Sequence, residues 1–381
     1  MKLAVLRERR NLEHRVAATP ETVKKFIGLG LTLAVETGAG AGASIPDEMY
    51  RDAGAAVCAS AAEAMAGADI ILKVQRPLIA GEGEDEVASM PRGAVLIGML
   101  SPYAGREWLD AYAGAGLTAF AMELVPRITR AQSMDVLSSQ SNLAGYKAVI
   151  DAADAFGRAF PMMMTAAGTV APARVMVLGA GVAGLQAIAT ARRLGAIVSA
   201  TDVRPAAREQ VESLGAKFVM VESEETKEAE TAGGYAREMS EDYKRRQAEL
   251  VADTLKKQDI AICTALIPGR PAPTLINDEM VRSMAPGSVI VDLAAEQGGN
   301  CTMTEPGQVV VKEGVTIIGH KNVPGRVAVD ASALYAKNLF NFVSLLIDPD
   351  RKALSINTDD EIIAKTLLTR DGEIVHPQFQ S

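Results

Sequence analysis

Short runs of apolar, often β-branched residues recur along the chain and alternate with stretches whose apolar positions return at helical spacing. That alternation predicts βαβ units around mainly parallel sheets, an α/β fold. In the first third the runs predict strands at Lys2–Leu6, Leu31–Glu36, Asp69–Val74, Ala94–Met99 and Leu117–Met122. Between the first two, PETVKKFIGLG offers Pro20 to the first turn of a helix and Gly30 to its stop.

A polar stretch, RITRAQSMDVLSSQSN, then breaks the rhythm at Arg127–Asn142 and leads into a helical pattern, LAGYKAVIDAADAFGRAF, expected to end at Pro161. A second α/β series follows, with strands expected at Arg174–Leu178, Ile197–Asp202, Lys217–Val221, Asp259–Thr264, Ser288–Leu293 and Val315–Gly319. The domains expected are therefore 1–126 completed by the tail 348–381, a polar loop and connector helix over 127–160, a second domain over 161–327, and a connector helix over 328–347. Roughly half the residues from Glu222 to Lys257 are charged, with paired glycines inside. Such a polar segment within a compact domain is usually functional or disordered.

Composition narrows the classes. A chain of 381 residues has room for two or three domains, and 48% hydrophobic with 23% charged residues is the balance of a folded protein. A net charge of −8 argues against a nucleic-acid partner. Cys58, Cys263 and Cys301 lie far apart, with no CxxC and no cluster near His14, His320 or His376. Neither a disulfide framework nor a metal site is expected, and a reducing cytoplasm fits. MKLAVLRERR reads as a strand and not as a signal peptide. With no apolar run of about 18 residues, a soluble chain is expected.

The strongest chemical signal is RVMVLGAGVAGLQAIATARRLGAIVSATD. A strand runs into a GxGxxG turn at Gly179, Gly181 and Gly184, a helix follows, and a second strand ends at Asp202. Gly179 permits the tight turn, Gly181 lets a pyrophosphate approach the backbone, and Gly184 allows close packing of helix on strand. The helix N-terminus offers free N–H groups to the phosphates. Asp202 is placed to accept the adenosine ribose hydroxyls, which favours NAD over NADP; Arg204, two residues on, is the kind of residue that accommodates a 2′-phosphate.

Other candidates carry two readings each. The polar stretch holds Arg127, Arg130, Gln132, Ser133, Asp135, Ser138 and Gln140: either a loop whose Ser and Asn side chains cap the connector helix near Ser141, or a set of polar groups for a ligand. Arg15 and Lys73 are either substrate-carboxylate ligands or solvated surface charges, and His14 reads as structural or surface. In DLAAEQGGN, Glu296 or Asn300 offers a polar group, unless Gly298 and Gly299 simply turn the chain. Met162, Met163 and Met164 are expected to be packed.

The segments RAQSMDVLSSQSNLAGYKAVI and FPMMMTAAGTVAPARVMVLGAGVAGLQAIATARRLGA, with KVQRP, AETAGGYA, TALIPG and TRDGEIVHP, carry a resemblance. The chain resembles the soluble NAD(H)-binding domain I, or alpha-1 subunit, of the proton-translocating NAD(P) transhydrogenase family, itself related to the alanine dehydrogenases. The resemblance implies two Rossmann-like domains, joined by long connector helices, with NAD(H) in the cleft. It implies a homodimer, an NADP(H)-binding partner domain and a membrane partner that moves protons. The chain would then sit in the cytoplasm, peripheral on the inner face of the membrane. By motif, Arg127, Gln132, Asp135 and Ser138 match the loop that orients nicotinamide. Val182, Asp202 and Arg204 match the nucleotide fingerprint, Gly234 and Tyr235 a mobile loop, and Gln247 and Leu266 further nucleotide contacts. The alternative is an alanine dehydrogenase-like amino-acid oxidoreductase. That family needs a cationic pair, here Arg15 and Lys73, an aspartate where Glu296 stands, and an acid/base histidine where Met99 and Leu100 stand. Amino-acid oxidation moves a proton as well as a hydride, so the missing histidine counts against it.

Overall fold

The first apolar run, KLAV, becomes the middle of a parallel sheet because both of its faces are covered: Leu3 and Val5 enter one hydrophobic cluster, Ala4 and Leu6 another. The computed structural model describes residues 1–221, 240–267, 269–348 and 350–380, so Gly234 and Tyr235 lie outside the described residues. The chain forms two units, Met1–Gln140 with Gly325–Ser381, and Ser141–Pro324.

In the first unit, β1 (Lys2–Val5), β2 (Thr32–Glu36), β3 (Ala56–Cys58), β4 (Ile70–Gln75), β5 (Val95–Met99) and β6 (Thr118–Ala121) form a parallel sheet in the order β3-β2-β1-β4-β5-β6. Leu367–Arg370 and Glu373–Ile374 extend it antiparallel beyond β6. Four helices are interleaved: α1 (Pro20–Gly28), α2 (Asp47–Asp52), α3 (Ala61–Met65) and α4 (Glu107–Gly114). Thr19 and Thr22 form a reciprocal capping box at the start of α1. The long helix Ala328–Leu345 buries Tyr335, Leu339, Phe342 and Val343 in the same cluster as Leu3 and Val5.

α5 (Val136–Ala155) begins inside the stretch expected to be a loop and stops before Pro161. Asp135 is the reason for the early start. Its Oδ1 accepts the Ser138 N–H at 2.8 Å and its Oδ2 the Ser138 hydroxyl at 2.6 Å, so the cap lies at Asp135 and not near Ser141.

The second unit has β9 (Arg174–Leu178), β10 (Ile197–Thr201), β11 (Lys217–Phe218), β12 (Ile260–Cys263), β13 (Val289–Asp292), β14 (Val309–Lys312) and β15 (Val315–Ile318), in the order β11-β10-β9-β12-β13-β15-β14. All pairs are parallel except β14 with β15. Its helices include α6 (Val182–Arg193), α7 (Ala207–Ser213), α8 (Glu241–Leu255) and α9 (Asp278–Ser283). A small hairpin of β7 (Met163–Thr165) and β8 (Gly168–Val170) precedes β9. The expected packing of the methionines is corrected there: Met162, Met163 and Met164 are 61%, 44% and 78% exposed, because every residue of both hairpin strands faces solvent. Two α/β domains with mainly parallel sheets are what the alternating pattern predicts.

Candidate nucleotide site

β9, β10 and β12 end side by side, and between β9 and β12 the strand order reverses. Crevices at such switch points, beyond the carboxyl ends of the strands, are where open α/β sheets bind ligands. The glycine turn sits at the end of β9. Gly179 has φ +101, a left-handed conformation that side chains rarely adopt. A Cβ on Gly184 would run into the Gly179 carbonyl oxygen, so α6 can approach the strand only with glycine there. Gly181 differs from both: an added Cβ would meet nothing within 4 Å. The backbone at that point borders open space, and α6 starts at the next residue with no side chain capping its first N–H groups. Those donors and that space fit a diphosphate.

Asp202, just past β10, is 8% exposed. Its Oδ2 accepts the Ala180 N–H at 2.7 Å, which ties the acid to the glycine turn. Arg204 donates to the same carboxylate from its backbone N–H at 2.8 Å, from Nε at 2.9 Å and from Nη2 at 2.9 Å. At the end of β12 the Thr264 hydroxyl donates to the Gly179 carbonyl at 3.0 Å. Val182 and Leu266 are large apolar residues left 39% exposed, one in the first turn of α6 and the other just past Thr264. The structure thus brings Gly179, Gly181, Val182, Gly184, Asp202, Arg204 and Leu266 to neighbouring strand ends. Gln247 is half-buried in the middle of α8.

Arg127, Gln132, Asp135 and Ser138 belong to the first unit. Arg127 and Gln132 are exposed, the latter in a 3₁₀ turn over Thr129–Met134, whereas Asp135 and Ser138 are half-buried in the helix cap. Arg130 is spent on a two-pronged ion pair with Asp360, at 2.8 and 2.6 Å.

Neither surface reading of the two candidate cations holds. Arg15 is 3% exposed; Nε and Nη2 donate to the two Glu13 oxygens at 2.8 and 2.6 Å, and Nη1 to Gln140 Oε1 at 2.8 Å. Against the cost of burial, Arg15 holds the Glu13 carboxyl below the usual range. Lys73 is fully buried, 2.8 Å from Glu86 and 3.4 Å from Glu8. Burial pushes the Glu8 carboxyl up despite Lys73. Glu123, just past β6, accepts the Leu100 and Ser101 N–H groups, and burial raises its carboxyl to about 7 against their pull. Leu100 is itself fully buried, so no side chain capable of acid/base work stands at the end of β5. Glu296 is exposed and accepts the Asn322 N–H at 2.9 Å, while Asn300 is fully buried beyond a turn made by Gly298 and Gly299, with φ of +98 and +81.

Thr264, Asp292 and Asn300 are the structural members of the site that sequence patterns do not single out. The one available signal is a hydroxyl closing a fully apolar strand at TALIPG, since such a group at a strand end needs a carbonyl.

Comparison with known proteins agrees along the whole chain. The family descriptions "Alanine dehydrogenase/PNT, N-terminal domain" and "Alanine dehydrogenase/PNT, C-terminal domain" match residues 4–144 and 148–377. The first of the polypeptides that make up the NAD(P) transhydrogenase alpha subunit of Rhodospirillum rubrum is 61% identical over 377 residues, covering 99% of this chain and 98% of the relative. The crystal structure of transhydrogenase from Sinorhizobium meliloti is 55% identical, with a TM-score of 0.88, covering 98% of this chain and 100% of that one. A solved L-alanine dehydrogenase is more distant at 28% identity, with a TM-score of 0.84 and coverage of 100% and 98%. From end to end, this chain belongs to the alanine dehydrogenase/PNT family.

Proposed function

We propose that the chain is the NAD(H)-binding subunit of a proton-translocating NAD(P) transhydrogenase and presents NADH for direct hydride transfer to NADP(+) on a partner domain. The observation that carries this reading is the 61% identity to a transhydrogenase alpha-subunit polypeptide over 99% of the chain, against 28% to the solved alanine dehydrogenase. The glycine turn and the N-terminus of α6 would hold the diphosphate, Asp202 the adenosine ribose, and Val182 and Leu266 would cover apolar faces of the nucleotide. Gly234, Tyr235 and Gln247 complete the proposed contacts.

Hydride passage between two nicotinamides exchanges no proton with the protein, so the site requires orientation and exclusion of water and no acid or base. Arg127, Gln132, Asp135 and Ser138 are assigned to that orienting task. Met99 and Leu100 at the end of β5 suit such a reaction and do not suit amino-acid oxidation.

The subunit acts with an NADP(H)-binding domain and a membrane domain that translocates protons. Among the described residues no helix is long and apolar enough to cross a membrane, so attachment to the inner face would run through those partners. A homodimer is supported by the β7–β8 hairpin, whose Met162, Met163, Met164 and Val170 lie open to solvent. The test has two arms. With NADH and an NADP(+)-loaded partner domain the chain should form NADPH, and with NAD and L-alanine alone it should form no NADH. The opposite pattern overturns the reading.

A further inference from the structure

Asn300 is fully buried, yet it contacts neither the glycine turn nor Asp202 directly. Its side chain is committed to the loop that follows β12. Nδ2 donates to the Ala265 carbonyl at 2.9 Å and to the Pro273 carbonyl at 2.8 Å, and Oδ1 accepts the Ala265 N–H at 3.1 Å. Ala265 therefore has both of its backbone groups held by one side chain, as a neighbouring strand would hold them.

Asn300 is in turn fixed from behind. Its N–H donates to Asp292 Oδ2 at 2.8 Å, an oxygen that also accepts the Cys301 N–H at 3.0 Å and the Thr304 hydroxyl at 2.8 Å. The Asn300 carbonyl accepts the N–H groups of Leu275 and Ile276 at 2.8 and 3.0 Å. A chain of hydrogen bonds thus runs from the end of β13 through Asn300 to Ala265. The residue before Ala265 is Thr264, bonded to the Gly179 carbonyl, and the residue after it is the exposed Leu266.

We infer that Asn300 is a positioning residue of the nucleotide site: it clamps Ala265 and so sets where Leu266 and the Thr264 end of β12 stand against the glycine turn, before any nucleotide arrives. The inference rests on the nucleotide-binding reading above. A buried asparagine with every side-chain hydrogen-bonding direction aimed at one loop has no effective substitute among the common residues, because no other short side chain both accepts and donates twice.

The experiment compares the full-length chain with Asn300→Ala and with Thr304→Val, which removes a different hydrogen bond to the same Asp292 carboxylate without touching Ala265. Both variants should melt below the parent. Only Asn300→Ala should also weaken NADH binding, by at least about tenfold, since three buried backbone groups lose their partner; Thr304→Val should stay within about twofold of the parent, as expected for a change distant from the loop. An Asn300→Ala protein that binds NADH as the parent does overturns the inference alone. A parent chain that does not bind NADH overturns the nucleotide reading beneath it. Hydrogen exchange on the parent decides the matter even if Asn300→Ala does not fold. The Ala265 amide should be protected in the nucleotide-free chain and little changed by NADH, and rapid exchange there without nucleotide overturns the inference.

Discussion

The Arg204 guanidinium lies along the Asp202 carboxylate, Nε to Oδ1 and Nη2 to Oδ2 both at 2.9 Å, while the Ala180 N–H donates to the same Oδ2 at 2.7 Å. The acid at the end of β10 is therefore held rigid and tied to the glycine turn. A 2′-phosphate brought to this place meets a like charge in a partly desolvated setting, whereas ribose hydroxyls find an acceptor. NADH should bind at least about tenfold more tightly than NADPH, a difference of about 1.4 kcal/mol, and Asp202→Asn should narrow the gap. Equilibrium dialysis with both nucleotides checks this; equal affinities for the parent chain contradict it.

Gly181 and Gly184 should respond to alanine in different ways. A Cβ at 184 collides with the Gly179 carbonyl oxygen, so Gly184→Ala should lower stability by roughly 1–3 kcal/mol, the usual cost of overpacking. A Cβ at 181 meets only open space, and the φ of −76 there suits any residue. Gly181→Ala should keep the parental Tm and still lose NADH affinity, because the added methyl occupies the diphosphate's approach. Thermal melts paired with fluorescence titration separate the two. A Gly181→Ala chain that binds NADH normally counts against placing the diphosphate at this turn.

The glycine turn is readable in sequence because its constraints are local: one positive φ, one close approach and one open position, all within six residues of chain. Strand Arg174–Leu178 matches its expected bounds for a similar reason, being a continuous apolar run buried on both faces. The strands that the apolar pattern does not predict lack that mark. Val309–Lys312 is a sheet edge with alternating exposure, and Ala56–Cys58 is only three residues long. The burial of Arg15 and Lys73 depends on Gln140 and Glu86, partners supplied by the fold and not by neighbouring sequence. Asn300 and Asp292 are hidden for the same reason, since their importance is a set of tertiary hydrogen bonds. The start of α5 does have a local mark in Asp135 and Ser138, an acid three residues before a hydroxyl, but it lies within a polar run that suggests a loop.

Gln132, exposed in its 3₁₀ turn, is the polar residue of the first unit least committed to the fold. It can both accept and donate hydrogen bonds, which suits a carboxamide partner. Gln132→Asn shortens the reach by one methylene and should misplace the reacting carbon, where about 1 Å costs on the order of a hundredfold. Single-turnover hydride transfer with the NADP-binding partner should fall at least about tenfold while NADH affinity changes little, an uneven loss expected of an orienting contact. A folded variant that transfers at the parental rate would return this residue to a structural role.

Glu123 gives the first unit a pH dependence. With its carboxyl raised to about 7 in the fold and near the usual 4.5 when unfolded, the folded chain holds a proton that the unfolded chain has released between those values. Its contribution to stability is full below about 4.5, declines by at most about 1.4 kcal/mol per pH unit as pH rises, and is gone above about 7. The melting temperature of Glu123→Gln should therefore gain on the parent between pH 5 and pH 8. A constant difference across that range contradicts the assignment.

Direct passage of hydride from NADH on this chain to NADP(+) on its partner is the central step of the proposed function. NADH carrying deuterium at the transferred C4 position, mixed with the full chain and an NADP(+)-loaded partner domain in ordinary water, tests it most directly. The label should appear in the NADPH formed, without loss to solvent, and no transfer should occur when this chain is left out. Label lost to water, or NADH formed from NAD and L-alanine by the chain alone, would contradict it.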